Sequence, residues 1–142
     1  MLTDEAISAQ RCFRPPGFLV SLTFGYQEGS RMKLTGLAFR AVANSKHGSL
    51  NTDTIMRFTS DDGLIIGSYS GGTIVAGHVL AKWRAESEIE MLYQGATTAG
   101  QVQAGKAHAR FGPNADGRMS MYLEWQWLTG DRSSGQSEWV LV

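Results

Sequence analysis

The sequence predicts an all-β protein, built as an antiparallel, up-and-down β-barrel of about eight strands. Segments that alternate between apolar and polar residues recur along it, and this period of two is typical of half-buried strands. Short turn signals separate the segments, and the 142 residues include 17 glycines but only 3 prolines. No interval is long enough for a crossover helix, so neighbouring strands are expected to run antiparallel.

The clearest alternation runs from Arg118 to Leu128. The residues of one parity are all apolar: Met119, Met121, Leu123, Trp125 and Trp127. The residues of the other parity carry polar groups: Ser120, Tyr122, Glu124 and Gln126. Because successive side chains leave a strand on opposite faces, the two indoles project side by side from one face.

Similar reasoning predicts the whole strand order. The eight predicted strands are Leu37–Val42, Thr54–Ser60, Leu64–Ser70, Thr73–Trp83, Glu88–Tyr93 with an extension as far as Thr98, Gln101–Phe111, Arg118–Leu128 and Gln136–Val142. Asp61–Gly63 predicts a tight hairpin. Gly77 and Gly105 lie inside strands and predict bulges or bends that let the sheet curl. Closure removes the unpaired sheet edges, and a two-sheet sandwich is the alternative.

The chain is expected to divide into residues 1–33, an N-terminal extension, and residues 34–142, a single barrel domain. The extension has no sustained period beyond a short helix capped by Thr3 and a strand over Phe18–Phe24. One interpretation is a weakly ordered tail. The other is that translation starts at Met32, because Gln27–Gly29 can be encoded by a purine-rich stretch resembling a ribosome-binding site.

Composition limits the class of partner. Lysine plus arginine and aspartate plus glutamate both number 13, so the net charge is zero. Such a chain lacks the basic surface that nucleic acid or an anionic membrane would need, and it is prone to self-association. The single cysteine, Cys12, excludes an intramolecular disulfide framework and suits a cytoplasmic protein. No apolar run approaches the ~18 residues of a transmembrane helix.

Four aromatic residues predict a binding site: Tyr69, Tyr93, Trp125 and Trp127. Aromatics from several strands of a small barrel can wall a pocket for one small apolar or aromatic ligand. The alternative is that they only fill the core. Asp131, in the loop Thr129–Gly135, is the candidate polar contact at the barrel mouth, or it bonds its own backbone in a solvated turn.

Glu124 is a further candidate whose role depends on the face it occupies. If the tryptophans point inward, Glu124 and Gln126 point outward and Glu124 is a solvated carboxylate. If the sheet is inverted, the two become polar anchors inside a cavity, and desolvation would shift the pKa of Glu124. The outward orientation is favoured because the opposite parity is uniformly apolar.

The sequence contains little that predicts a metal site or a catalytic residue. His47, His78 and His108 show no ligand spacing, so no metal site is predicted. No Gly-x-Ser-x-Gly nucleophile elbow occurs. Accordingly, no catalytic residue and no cofactor is assigned.

A series of motifs resembles a family of small uncharacterised bacterial proteins regarded as avidin-like barrels. The motifs are Tyr69–Gly72, Gly77, Tyr93, Gly100, Gly105, Asp116–Arg118, Glu124–Trp127, Thr129–Asp131 and Gly135–Ser137. The resemblance covers roughly residues 39–142 and implies an avidin- or lipocalin-like (calycin-like) barrel. Some relatives carry the label N-acetylglutamate synthase, yet this chain lacks the strand–glycine-rich loop–helix unit that normally cradles the phosphates of acetyl-CoA.

The sequence departs from that family at several polar positions. Gly95 and Thr97 stand where the family tends to carry a histidine and an asparagine. Ala107 stands where many relatives have a cysteine, and residues 139–142 replace an acidic pair. A site that needs those polar groups is therefore not expected here.

Three functions remain open from the sequence. The first is a small-molecule-binding barrel with an aromatic-lined interior. The second is a structural, homo-oligomeric barrel without a ligand, in which the aromatic strand lies in a subunit interface. The third is a barrel enzyme that uses Glu124 as acid or base, which requires Glu124 to lie inside a cavity.

Overall fold

A computed structural model describes residues 32–44 and 52–142, and it confirms the closed antiparallel barrel. The strands are β1 Ala38–Asn44, β2 Ile55–Asp62, β3 Leu64–Gly71, β4 Ile74–Ala85, β5 Glu88–Thr97, β6 Val102–Pro113, β7 Met119–Trp127 and β8 Ser134–Leu141. Each strand pairs with the next, and β8 pairs with β1 to close the barrel. The interpretations of Thr3, Cys12, Phe18–Phe24, Gln27–Gly29 and His47 lie outside the described residues.

All eight predicted strands are confirmed, with ends that shift by at most two residues, since β5 takes its longer predicted form. The tight hairpin is also confirmed: Gly63 joins β2 to β3 with a φ of 87°. Inside the described ranges, no helix has the length and apolar character needed to cross a membrane.

The predicted bulge or bend at Gly77 corresponds to a register shift that begins beside it, whereas no register shift lies at Gly105. Gly77, opposite Tyr69, forms the last regular pair before this shift, while Gly105 lies in regular register between Tyr93 and Trp127. The shift beside Gly77 lies between Tyr69 and Gly71 of β3, and another shift lies within β2, between Phe58 and Ser60. The two glycines serve another purpose, because each lies beneath a tyrosine ring.

The barrel interior is apolar and has two distinct ends. The odd-numbered strands begin at one end, where Phe39 packs against Phe58 and Phe111. Asp61 is fully buried there, and its carboxylate accepts hydrogen bonds from the Leu34 backbone N–H at 3.0 Å and from Trp83 Nε1 at 2.8 Å. We call this the Asp61 end. The odd-numbered strands finish at the opposite end, which we call the aromatic end.

Candidate functional site

Four side chains form a continuous chain of rings toward the aromatic end. Ring centroids are 6.2 Å apart for Tyr69 and Tyr93, 5.6 Å for Tyr93 and Trp127, and 5.9 Å for Trp125 and Trp127. We call these four residues the aromatic quartet. β3, β5 and β7 contribute them, so residues up to 58 positions apart in the sequence meet in one layer. These are the four aromatic residues that the sequence predicted as a pocket wall.

Glycines make room for the two tyrosine rings. A Cβ atom on Gly77 would collide with the Tyr69 ring, and one on Gly105 would collide with the Tyr93 ring. A Cβ on Gly95 would lie 2.6 Å from the Tyr69 hydroxyl. The missing side chains therefore let both rings lie directly against the barrel wall, which positions the quartet.

Burial changes the acidity of the two tyrosines. Tyr69 is 6% exposed, and desolvation raises its pKa to about 12. Burial also raises the pKa of Tyr93, and repulsion from an ionised Tyr69 raises it further. Both hydroxyls are thus neutral hydrogen-bonding groups at physiological pH.

These shifts predict a loss of stability in alkali. A tyrosine whose pKa is raised in the folded state stabilises the fold below pH 10, the ordinary tyrosine pKa, and this stability is lost as the pH rises toward 12. We expect the free energy of unfolding to fall by about 2–3 kcal/mol over this range for Tyr69 alone. Urea unfolding at pH 9 to 12 measures it, and Tyr69→Phe should flatten the decline. An unchanged decline in that variant would contradict the assignment.

One buried indole in the quartet has an unsatisfied donor. Trp125 Nε1 is inaccessible to solvent and has no hydrogen-bond partner among the described residues. By contrast, Trp139, also fully buried, donates from Nε1 to Ser137 Oγ at 3.0 Å. Since nearly all buried polar groups in proteins are paired, the bare N–H of Trp125 indicates a position where an acceptor is expected.

A second unsatisfied polar atom lies just before β8, and the sequence reasoning missed it. Ser133 Oγ is buried without a partner in the described part of the chain. Ser133 directly precedes β8, and its carbonyl accepts the backbone N–H of Trp127 at 2.9 Å. The only sequence signal was its place in the polar loop Thr129–Gly135.

An open cleft of about 530 Å³ lies at the aromatic end of the barrel, and Trp127 is the quartet residue that lines it. Its lining residues are Gln101, Val102, Gln103, Trp127, Thr129, Gly130 and Asp131. Asp131 is exposed, and its carboxylate accepts the backbone N–H of Ser133 at 2.9 Å, so the solvated-turn interpretation holds. The same residue also borders the cleft.

Glu124 lies apart from the quartet, on the outer face of the barrel. The indoles of Trp125 and Trp127 are buried inside, while Glu124 and Gln126 are exposed outside. Parity decides this, because adjacent residues of β7 must point to opposite faces. Glu124 does not contribute to the quartet. The enzyme hypothesis required this carboxylate inside the barrel as an acid or base, and its side chain is exposed outside. The structural hypothesis placed the aromatic strand in a subunit interface. The indoles of Trp125 and Trp127 point into the barrel, so they cannot form such an interface.

The outer face carries ordinary surface polar pairs. His108 Nε2 lies 2.9 Å from Glu88 Oε1, and both side chains are partly exposed. Within the described residues, no three histidine, cysteine, aspartate or glutamate side chains group closely enough to hold a metal ion.

The fold is a small, closed antiparallel β-barrel of eight strands that encloses a buried cluster of aromatic rings. Comparison with known families identifies it further: the family described as avidin-like protein matches residues 32–141, and the chain belongs to that family. Comparisons with curated proteins and with solved structures found no match. Because a barrel does not specify its ligand, family membership does not imply biotin.

Proposed function

We propose that the protein binds a small, flat, largely apolar molecule that carries an uncharged hydrogen-bond acceptor, and that the aromatic quartet forms the site. The observation that carries this proposal is the buried, unpartnered Nε1 of Trp125. The alternative is that the quartet is only core packing. An inert core would be expected to pair this donor, as it pairs Trp139 with Ser137.

The shape of the ligand follows from the rings. Aromatic side chains favour flat partners that can stack on a face or meet an edge. Tyr93 and Trp127 meet at 68° between ring planes, and Trp125 and Trp127 at 54°. Tilted rings of this kind offer both faces and edges, which suits a planar apolar body.

The acceptor follows from the energetics of the unpaired donor. A buried N–H without a partner is unfavourable by about 1–3 kcal/mol, and a ligand carbonyl recovers part of this energy. Ser133, whose carbonyl accepts the backbone N–H of Trp127, offers its unpartnered Oγ as a second polar contact. A ligand without an acceptor would leave the Trp125 donor bare and should bind more weakly.

The absence of buried cations argues for a neutral acceptor. The buried polar or charged side chains in the described part of the chain are Thr54, Asp61, Thr97, Ser120 and Ser137. No lysine or arginine is among them, and Asp61 already accepts two hydrogen bonds at the opposite end. Burying an unpaired anion is strongly unfavourable, so an amide or ketone oxygen fits better than a carboxylate.

A matched pair of compounds tests the proposal. We expect 2-naphthamide to bind about tenfold more tightly than 2-methylnaphthalene, since one hydrogen bond contributes about 1–1.5 kcal/mol. Trp125→Phe should abolish this preference while retaining binding of the methyl compound, because phenylalanine keeps an aromatic wall but has no N–H. Ligand-observed NMR titrations give both affinities.

Glu124→Gln is the matched control on the same strand. The Glu124 side chain points out of the barrel, on the face of β7 opposite to Trp125 and Trp127. The preference for the amide should therefore be unchanged in this variant. Native mass spectrometry of protein purified from cells would show any co-purifying ligand directly. If neither naphthalene binds and no small molecule co-purifies, the quartet is core packing and the proposal fails.

A further inference from the structure

The cleft at the aromatic end adjoins the aromatic quartet through one shared residue. Trp127 belongs to both, because its ring packs against those of Tyr93 and Trp125 and it also lines the cleft. Val102 lines the cleft as well and is 77% exposed, which leaves its methyl groups open to a bound molecule. The volume of about 530 Å³ is within the range of small-molecule sites. A ligand whose ring lies in the quartet can therefore extend a substituent into this cleft.

The charge of the cleft comes from a single side chain. Gln101, Gln103 and Thr129 line it with uncharged polar groups, and Asp131 is the charged member among the described lining residues. Arg132 is next to Asp131 in the sequence but does not line the cleft. A substituent in the cleft therefore meets a carboxylate and no cation from the described part of the chain.

The local backbone determines the position of the Asp131 carboxylate. Gly130 and Arg132, on either side of it, both have left-handed φ values, 64° and 58°. Asp131 Oδ1 accepts the backbone N–H of Ser133 at 2.9 Å. A non-glycine residue such as Arg132 keeps a positive φ only where the surrounding structure imposes it. The carboxylate keeps its negative charge when it accepts this N–H, and it has further lone pairs for other donors.

Trp127 favours a cation for an independent reason. The face of an indole ring attracts positive charge, more strongly than the ring of tyrosine or phenylalanine does. Trp127 and Asp131 line the same cleft, so the ring and the carboxylate favour the same sign of charge. An anionic substituent would instead be repelled by Asp131.

We propose that the cleft is the subsite for a positively charged amine on the ligand, and that Asp131 determines this specificity. The ligand class is then a planar apolar ring with an uncharged acceptor and a short aminoalkyl chain. The methylene groups of the chain contact Val102, and the ammonium group lies beside Asp131 and Trp127. This inference rests on the proposed function, because the ring has to occupy the quartet.

Two naphthamides that differ only in the end of the chain test the subsite. N-(2-aminoethyl)-2-naphthamide carries an ammonium group, and N-(2-hydroxyethyl)-2-naphthamide carries a neutral hydroxyl group of similar size. We expect the wild-type protein to bind the amine about threefold to fivefold more tightly at low ionic strength, the range of an exposed ion pair. This preference should shrink in about 0.5 M salt, because the ions screen the charge of Asp131. Ligand-observed NMR titrations give both affinities.

Asp131→Asn is the decisive variant. Asparagine keeps an oxygen that can accept the Ser133 N–H, so the loop should be retained, but it has no charge. The preference for the amine should disappear, while the affinity for the hydroxyl compound should stay the same. Asp116→Asn is the matched control, because it removes one exposed carboxylate from the loop between β6 and β7 at the Asp61 end. This control variant should keep the wild-type preference.

The outcomes separate this inference from the proposed function. Equal binding of the two compounds by the wild type, or a preference that survives in Asp131→Asn, would overturn the amine subsite and leave the quartet as a binding site. An equal loss of affinity for both compounds in Asp131→Asn would assign Asp131 to loop structure alone and would also overturn the subsite. If neither compound binds to the wild type, the proposed function and the subsite fail together.

Discussion

Replacing Gly71 with alanine is expected to lower the free energy of unfolding by about 3 kcal/mol or more. Gly71 ends β3 with a φ of 112°, a backbone conformation that side chains disfavour. A Cβ atom there would also overlap the backbone carbonyl of Asp53, just before β2. The strain and the collision act together, because backbone atoms cannot move aside as the end of a flexible side chain can.

Two other glycines separate the contributions to this effect. Gly63 has a φ of 87° but open space around it, so Gly63→Ala should be unfavourable by only about 1 kcal/mol. Gly112 has neither a positive φ nor a close neighbour, so Gly112→Ala should be nearly neutral. Urea unfolding followed by tryptophan fluorescence measures all three. Equal effects for Gly71→Ala and Gly63→Ala would show that the Asp53 carbonyl is not a barrier.

Removing the carboxylate of Asp61 is expected to destabilise the opposite end of the barrel by about 3 kcal/mol. Asp61→Ala would leave two donors, the Leu34 N–H and Trp83 Nε1, without their acceptor. Hydrogen bonds to a charged group contribute about 1.5–3 kcal/mol each, and Leu34 is fully buried, so water cannot readily replace the carboxylate there. Thermal and urea unfolding give the change in stability.

The neighbouring residue provides the control for Asp61. Asp62 follows it on β2, is exposed, and should tolerate alanine within about 0.5 kcal/mol. Asp61→Asn keeps one acceptor oxygen and should fall between the two. If Asp61→Ala were as mild as Asp62→Ala, the hydrogen bonds to Leu34 and Trp83 would contribute nothing net.

The aromatic quartet shows how far local reasoning reaches. Alternation along β7 correctly placed Trp125 and Trp127 on the inner face and Glu124 on the outer face. The same reasoning could not predict at which end of the barrel each aromatic side chain lies. Trp83 shares the inner side but packs with Phe111 at the Asp61 end, 5.9 Å between ring centroids, because cross-strand register determines the level of each residue.

Some decisive features carry no local signal at all. Gly77 and Gly105 suggested bulges or bends, since a glycine within a strand often marks one, but no local pattern showed that they give space to tyrosines from neighbouring strands. Asp61 is buried, whereas the sequence predicted only a tight hairpin over Asp61–Gly63. The unpaired atoms of Trp125 and Ser133 can be recognised only once every potential partner has a position.

The sequence by itself determined the strands, their order, the turns between them and the face on which each side chain lies, because these depend on residues close together along the chain. Only the tertiary structure decided the closure of β8 onto β1, the level of each ring inside the barrel and the unpaired donor of Trp125. Those features depend on the register between strands. Register is determined by contacts between residues far apart in the sequence, so it leaves no pattern within a single segment.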